Sequence, residues 1–206
     1  LYGIRSVSVP LTMGWTRDDR DSALVPTMGR LQKVQAELGV GGDTRYIRGN
    51  YQFQQYVPLS RQYTLALNAE FGWGKGVGGK LFPVFKNFFG GGLGSVRGFE
   101  QGTLGSRDVT GAFIGGAKKV GFNAELLAPF PGAGNDRTLR VFGFLDVGNV
   151  YGETEKVDFA NMRASVGVGL SWLSPVGPLR IAFANPVRKF SGDKIQKVQF
   201  QIGTSF

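Results

Sequence analysis

The sequence of 206 residues is 42% hydrophobic and 19% charged, a composition that favours a folded domain over a disordered chain. It has no cysteine and no histidine, which excludes disulfides, thiol chemistry and every catalytic or metal site that depends on imidazole, so we expect no enzyme, no metal and no cofactor. The formal net charge is +9, but the basic residues are dispersed and no nucleic-acid-binding module is recognisable, so we expect no nucleic-acid partner.

Alternation of apolar and polar residues with period 2 predicts nine β-strands. In the first of them Val9, Leu11 and Met13 share one face, while Ser8 and Thr12 share the other. The predicted segments are about 6–17, 29–38, 44–57, 64–73, 117–129, 137–150, 162–173, 178–186 and 197–206. Helical periodicity is nowhere sustained, so the predicted fold class is all-β and antiparallel.

The connections between these strands differ in kind. Compact turns rich in proline and glycine occupy 129–136 and 173–178, whereas the connection at about 74–116 is far longer. Short turns at one end and longer loops at the other are typical of a transmembrane β-barrel. A soluble β-sandwich or a lipocalin-like barrel alternates as well, but apolar faces that end in Trp73 or Trp172, opposite polar faces, favour the membrane barrel.

The long connection begins with "GKGVGGK" at 74–80, which has the spacing of a phosphate-binding P-loop. Leu81 stands where that motif needs a serine or threonine to hold magnesium, and no helix is predicted to follow. We therefore expect no nucleotide site here.

Farther along, residues 90–105 read "GGGLGSVRGFEQGTLG", with Val96, Arg97, Gly98 and Phe99 at the centre. The last ten residues, "KVQFQIGTSF", place Phe200, Ile202 and Phe206 on one face and stop on an aromatic residue. Other distinctive stretches are "FNAELLAPFP" at 122–131, "FGFLDVGNVY" at 142–151 and "LSWLSPVGPLRIAFANP" at 170–186. Together, and in this order, they resemble the carboxy-terminal part of the BamA family of outer-membrane assembly barrels.

The resemblance implies a sixteen-stranded barrel in the bacterial outer membrane, preceded by periplasmic POTRA domains. Residues 1–206 would then supply the last nine strands, with the first seven strands and the POTRA domains outside this sequence. It also implies that the long loop folds back into the barrel lumen, where Arg97 contacts Glu125 and Asp146.

The strand pattern agrees about the direction of both carboxylates. Glu125 alternates with Ala124 and Leu126, and Asp146 alternates with Leu145, so both acidic side chains are expected on the polar face. The planar guanidinium of Arg97 could then bridge them, and Gly98 and Gly94 would let the backbone turn tightly and approach the wall without a Cβ clash. The alternative is that Arg97 is a solvated loop residue and the two acids are ordinary lumenal charges.

The resemblance implies a non-enzymatic function: folding and inserting nascent outer-membrane proteins, with accessory assembly lipoproteins held by the POTRA domains. Lys118, Lys119, Arg188, Lys189 and Lys194 lie near predicted loop ends, where they could meet membrane lipid and lipopolysaccharide, or could equally be solvated loop charges. Three alternatives stay open: a TamA-like factor or two-partner secretion transporter, a passive porin-type barrel, and an outer-membrane enzyme that uses Asp, Ser and Lys.

Overall fold

The computed structural model describes residues 7–133, 136–175 and 177–203, and a nine-stranded antiparallel sheet dominates it. In chain order the elements are β1 (Val9–Asp18), β2 (Gly29–Val40), β3 (Tyr46–Pro58), β4 (Thr64–Gly76), a 3-10 helix (Val84–Lys86), β5 (Gly98–Phe99), β6 (Ser106–Arg107), β7 (Phe113–Gly115), β8 (Lys118–Pro129), β9 (Leu139–Tyr151), a second 3-10 helix (Phe159–Asn161), β10 (Arg163–Ser174), β11 (Gly177–Arg188), β12 (Ile195–Gln196) and β13 (Val198–Ile202). The sheet order is β1-β2-β3-β4-β8-β9-β10-β11-β13, which confirms the predicted all-β fold and its nine strands. No helix in the described ranges is long and apolar enough to cross a membrane.

One face of the sheet is apolar and exposed along its whole width. Leu11 of β1 pairs with Leu38 of β2, which pairs in turn with Ile47 of β3, and all three side chains are exposed. At the other edge of the sheet Phe183 of β11 pairs with Val198 of β13, again on the exposed face. A continuous exposed apolar face is what contact with lipid chains requires, so the membrane barrel describes the fold and the soluble sandwich does not.

The opposite face, which lines the lumen, carries mainly polar or small side chains. Cross-strand neighbours on this face include Gln35 of β2 with Asn50 of β3, and Asn68 of β4 with Asn123 of β8. Trp15, Trp73 and Trp172 lie on the outer face and are exposed, as residues of an aromatic girdle would be. The predicted assignment of the two faces is therefore confirmed.

The longest connection, residues 77–117, joins β4 to β8 and is called the lumenal loop below. It starts three residues later than the sequence predicted, because β4 continues to Gly76, which pairs with Tyr46 of β3. The first limb of the loop packs onto glycines of the lumenal face. A Cβ on Gly72 would come within 2.7 Å of Phe88, and one on Gly74 within 2.3 Å of Phe82. The strand glycines therefore make room for loop aromatics inside the sheet's concave side.

The terminal strand is described only in part. A strand over about 197–206 was predicted; β13 covers Val198–Ile202, and Phe206 lies outside the described residues. The residues just before it, Ile195–Gln196, pair with β5 of the lumenal loop instead of extending the main sheet. The sequence pattern could not reveal this, because the competing partner is nearly 100 residues away.

Candidate functional site

The tip of the lumenal loop carries Val96, Arg97, Gly98 and Phe99 and is buried against the inner wall. Val96 and Phe99 form a hydrophobic cluster with Leu104 of the loop and Val150 of β9. Backbone bridges between Phe88 and Gly116 and between Gly90 and Leu104 close the loop into a narrow double-limbed structure. The loop is thus an ordered insertion whose tip is fixed by its own apolar residues.

Arg97 is the centre of the site and is only 1% exposed. Its Nε donates to Oδ2 of Asp146 at 2.6 Å, and its Nη2 donates to Oδ1 of the same carboxylate at 2.5 Å. The backbone N–H of Arg97 also donates to Oδ2 of Asp146, at 3.0 Å. Asp146, on β9, is fully buried, so this forked contact fixes both the side chain and the backbone of the loop.

The third nitrogen of the guanidinium reaches the neighbouring strand. Nη1 of Arg97 donates to Oε1 of Glu125 on β8, at 2.5 Å. The other oxygen of Glu125 accepts from Nη2 of Arg180 on β11. Arg97, Glu125, Asp146 and Arg180 together are called the Arg97 cluster below. Its two positive and two negative charges balance, which is how buried charges are tolerated.

Two aromatic rings of β9 form the floor of this cluster. The guanidinium carbon of Arg97 lies 3.6 Å from the centroid of Phe144, and that of Arg180 lies 4.4 Å from the centroid of Phe142. Both rings point inward over glycines of β10, where a Cβ on Gly167 would come within 2.5 Å of Phe144. The arginines are thus held by stacking as well as by charge, a combination that lysine could not provide.

The amide of Asn123 connects the cluster to the loop backbone. Its Nδ2 donates to Oδ1 of Asp146 at 2.9 Å and to the carbonyl of Ser95 at 2.7 Å. Its Oδ1 accepts from Asn68 at 2.8 Å, so the network reaches β4. Asp146 therefore accepts four hydrogen bonds in all, which satisfies a buried carboxylate.

The electrostatic balance keeps Arg97 charged. Burial by itself would lower the pKa of Arg97, but the hydrogen bonds to Asp146 and the charges of Glu125 and Asp146 outweigh it and raise the pKa above its ordinary value. A permanently charged residue whose three side-chain nitrogens donate to carboxylates is suited to holding a segment in place, not to transferring protons.

The glycines beside Arg97 are not equivalent. Gly98 has a φ of 87°, and a Cβ there would lie 3.0 Å from Pro186 and 3.1 Å from Ala184 of β11. Gly94 has no atom within 4 Å of such a Cβ and is not among the glycines with positive φ. Clearance is therefore required at Gly98, as predicted, whereas the prediction for Gly94 is wrong because a Cβ there would meet open space.

A second set of contacts holds the base of the lumenal loop. The carboxylate of Glu153 accepts from the backbone N–H of Gly76 at 2.8 Å and from that of Phe82 at 2.9 Å. On the other side, Nζ of Lys86 lies 2.6 Å from Glu37 of β2. The loop is therefore tied to the wall at its base and at its tip.

Sequence reasoning placed Arg97, Glu125 and Asp146 together but missed Arg180, Phe144, Asn123 and Gln199 as further partners. All four lie on the lumenal face. The period-2 pattern indicates that face, but it does not indicate which lumenal residues lie level with the loop tip along the barrel axis. One expectation is wrong in detail. Lys119 points into the lumen, where its Nζ lies 2.7 Å from Glu70, and it is not a surface charge at the loop end.

Comparison with known proteins gives the family context for this arrangement. Residues 4–206 match the family model described as the Omp85 superfamily domain. The outer membrane protein assembly factor BamA of Neisseria meningitidis is 42% identical over 95% of this chain. The human sorting and assembly machinery component 50 homolog is 29% identical over 98% of the chain and 46% of its own length.

A solved structure agrees with these sequence relatives. The crystal structure of BamA from Haemophilus ducreyi lacking POTRA domains 1–3 superimposes with a TM-score of 0.84 at 28% identity. The match covers 93% of this chain and 41% of that one. The chain spans 28% of the length of the Neisseria relative and 22% of a BamA from Nitratidesulfovibrio vulgaris.

Proposed function

This chain belongs to the Omp85 superfamily and is part of an outer-membrane β-barrel. We propose that the barrel folds and inserts nascent outer-membrane proteins. The relatives named for assembly support this proposal. Two groups of them, bacterial BamA proteins and the sorting and assembly machinery component 50 homologs, align over most of the chain. The chain would contribute the carboxy-terminal wall of the barrel, its lumenal loop and its terminal strand.

The observation that carries the proposal is the terminal strand at the edge of the sheet. In the described residues β13 pairs with β11 over five positions, whereas β10 pairs with β11 over eleven. Phe200 and Ile202 are 68% and 62% exposed on the outer face, so the strand lies against lipid. A short seam between strands opens more readily than a long one, so we expect this strand to exchange its partner for an incoming strand.

The occupied lumen speaks against a passive porin. A porin needs a continuous water-filled channel, but here the lumenal loop crosses the concave face and is bound there by the Arg97 cluster. The names of the relatives favour assembly over the export of one passenger. We also propose that the protein is not an enzyme, because the most buried charged groups pair with one another and leave no free acid or base in the cluster.

Contacts with the rest of the assembly machinery and with the membrane form the finer part of the proposal. Lys189 and Lys194 are exposed at the loop end of the sheet, where phosphates of lipopolysaccharide would be accessible to them. Nascent outer-membrane proteins would be the substrates, and accessory lipoproteins would bind POTRA domains that lie outside this sequence.

The test is depletion of the full-length protein in its own cell. We expect the folded forms of several unrelated outer-membrane β-barrels to decline together, and plasmid-borne protein to restore them. A decline limited to one secreted passenger would support the secretion transporter instead. Unchanged barrel levels, with ion conductance from the purified protein, would support the porin.

A further inference from the structure

Gln199 joins the terminal strand to the tip of the lumenal loop. Its side chain is buried on the lumenal face of β13, only 5% exposed. Its Oε1 accepts from the backbone N–H of Gly98 at 3.3 Å, and its Nε2 donates to the carbonyl of Phe99 at 2.7 Å. One side chain therefore satisfies a donor and an acceptor of consecutive loop residues that no strand of the main sheet pairs with.

The segment that leads into β13 is paired with the same two loop residues. Ile195 and Gln196 of β12 lie opposite Phe99 and Gly98 of β5 in an antiparallel pair. The N–H of Glu100 extends this pairing by donating to the carbonyl of Lys194 at 2.9 Å. The chain returns to the main sheet only at Lys197, whose carbonyl accepts from the N–H of Ala184 at 2.7 Å.

The loop tip thus spans two parts of the wall. Arg97 is bound to β8 and β9 through Glu125 and Asp146. The next residue, Gly98, contacts β11 closely enough that a Cβ would meet Ala184 and Pro186, and it is hydrogen-bonded to Gln199 of β13. Any shift of the loop tip therefore moves groups that the terminal strand is bonded to.

We propose that the lumenal loop is a positioning element for the terminal strand, with Gln199 as the residue that couples the two. The Arg97 cluster fixes the height of the loop tip on β8 and β9, and Gln199 with the β5–β12 pair transmits that position to β13. Release of Arg97 would loosen the start of β13 as well as the loop. This inference concerns the resting structure and does not depend on the proposed function.

The test is amide hydrogen exchange in the purified full-length protein, with Gln199→Leu as the central variant. Leucine keeps most of the volume but cannot make either hydrogen bond, so exchange of the amides in 198–202 and in 98–100 should both accelerate about tenfold. Gln201→Leu is the matched control. Gln201 lies two residues along the same face, and within the described part of the chain its side chain makes no hydrogen bond. It should leave exchange in both segments at the native rate.

A loop variant tests the coupling from the other side. Arg97→Lys touches no group of β13, yet it should accelerate exchange in 198–202 along with the loop. Lys119→Ala, which removes a lumenal ion pair with Glu70, should change neither segment. Folding of each variant is verified by its heat-dependent mobility in gels. The proposal is overturned if Gln199→Leu and Arg97→Lys each loosen only their own segment, or if Gln201→Leu acts like Gln199→Leu.

Discussion

Arg97 and Asp146 meet as a two-pronged pair in which Nε and Nη2 of the arginine each donate to a different carboxylate oxygen, at 2.6 and 2.5 Å. The backbone N–H of Arg97 adds a third bond to the same group. The two residues are 49 positions apart in the sequence, so this contact joins the loop tip to β9 over a long stretch of chain. It is the contact on which the position of the lumenal loop depends most.

Replacing Arg97 should destabilise the barrel. Arg97→Ala leaves the buried carboxylate of Asp146 without its cation, an effect of about 3 kcal/mol when one partner of a buried pair is lost. The free energy of unfolding in urea, measured on the full-length barrel in lipid vesicles, gives this value. Arg45→Ala is the control, because Arg45 is exposed at the loop end; it should stay within about 0.5 kcal/mol of the native protein. An equal effect of the two variants would contradict the assignment.

The two carboxylates should contribute unequally. Asp146 accepts three hydrogen bonds from Arg97, whereas Glu125 accepts one and shares its charge with Arg180. We therefore expect Asp146→Asn to expose the loop tip much more than Glu125→Gln does. Cleavage by trypsin after Arg97, a bond buried in the native protein, is the readout. The interpretation fails if neither variant speeds this cleavage, or if Glu125→Gln has the larger effect.

The two glycines next to Arg97 offer a matched pair of variants. Gly98→Ala puts a Cβ on a backbone with φ of 87° and against Pro186, so it should cost about 1–2 kcal/mol of stability. Gly94→Ala adds the same methyl group in open space and should be nearly neutral. Unfolding curves of the two variants in the full-length barrel distinguish them, and similar curves would mean that Gly98 is not the tight position.

The sequence pattern predicted the sheet well because successive side chains of a barrel strand face lipid and lumen in turn, which requires apolar and polar residues to alternate. Leu145 and Asp146 lie on opposite faces for that reason, and the same logic gave Glu125 its direction. The parts that could not be predicted depend on the path of the lumenal loop. Nothing local to Gln199 or Arg180 indicates that a loop 80 to 100 residues earlier would end beside them.

The same limit applies to the segment just before the terminal strand. Ile195 and Gln196 are out of phase with Val198 and Phe200, so period 2 begins the strand only after them and does not say what their backbone pairs with. Their backbone pairs with Phe99 and Gly98 because the loop tip is already fixed there. The pattern of side chains determines faces, whereas the choice of backbone partner is made by tertiary contacts.

A double-mutant cycle between Arg97 and Asp146 tests the central claim most directly. Unfolding free energies are measured for the full-length barrel with Arg97→Met, with Asp146→Asn and with both. If the pair fixes the loop, Arg97→Met leaves Asp146 without a cation and Asp146→Asn leaves Arg97 with Glu125 alone. The double variant should then be no less stable than the worse single one, with a coupling of about 2–3 kcal/mol. Strictly additive losses, with a coupling near zero, would contradict the claim that these two residues hold the lumenal loop in place.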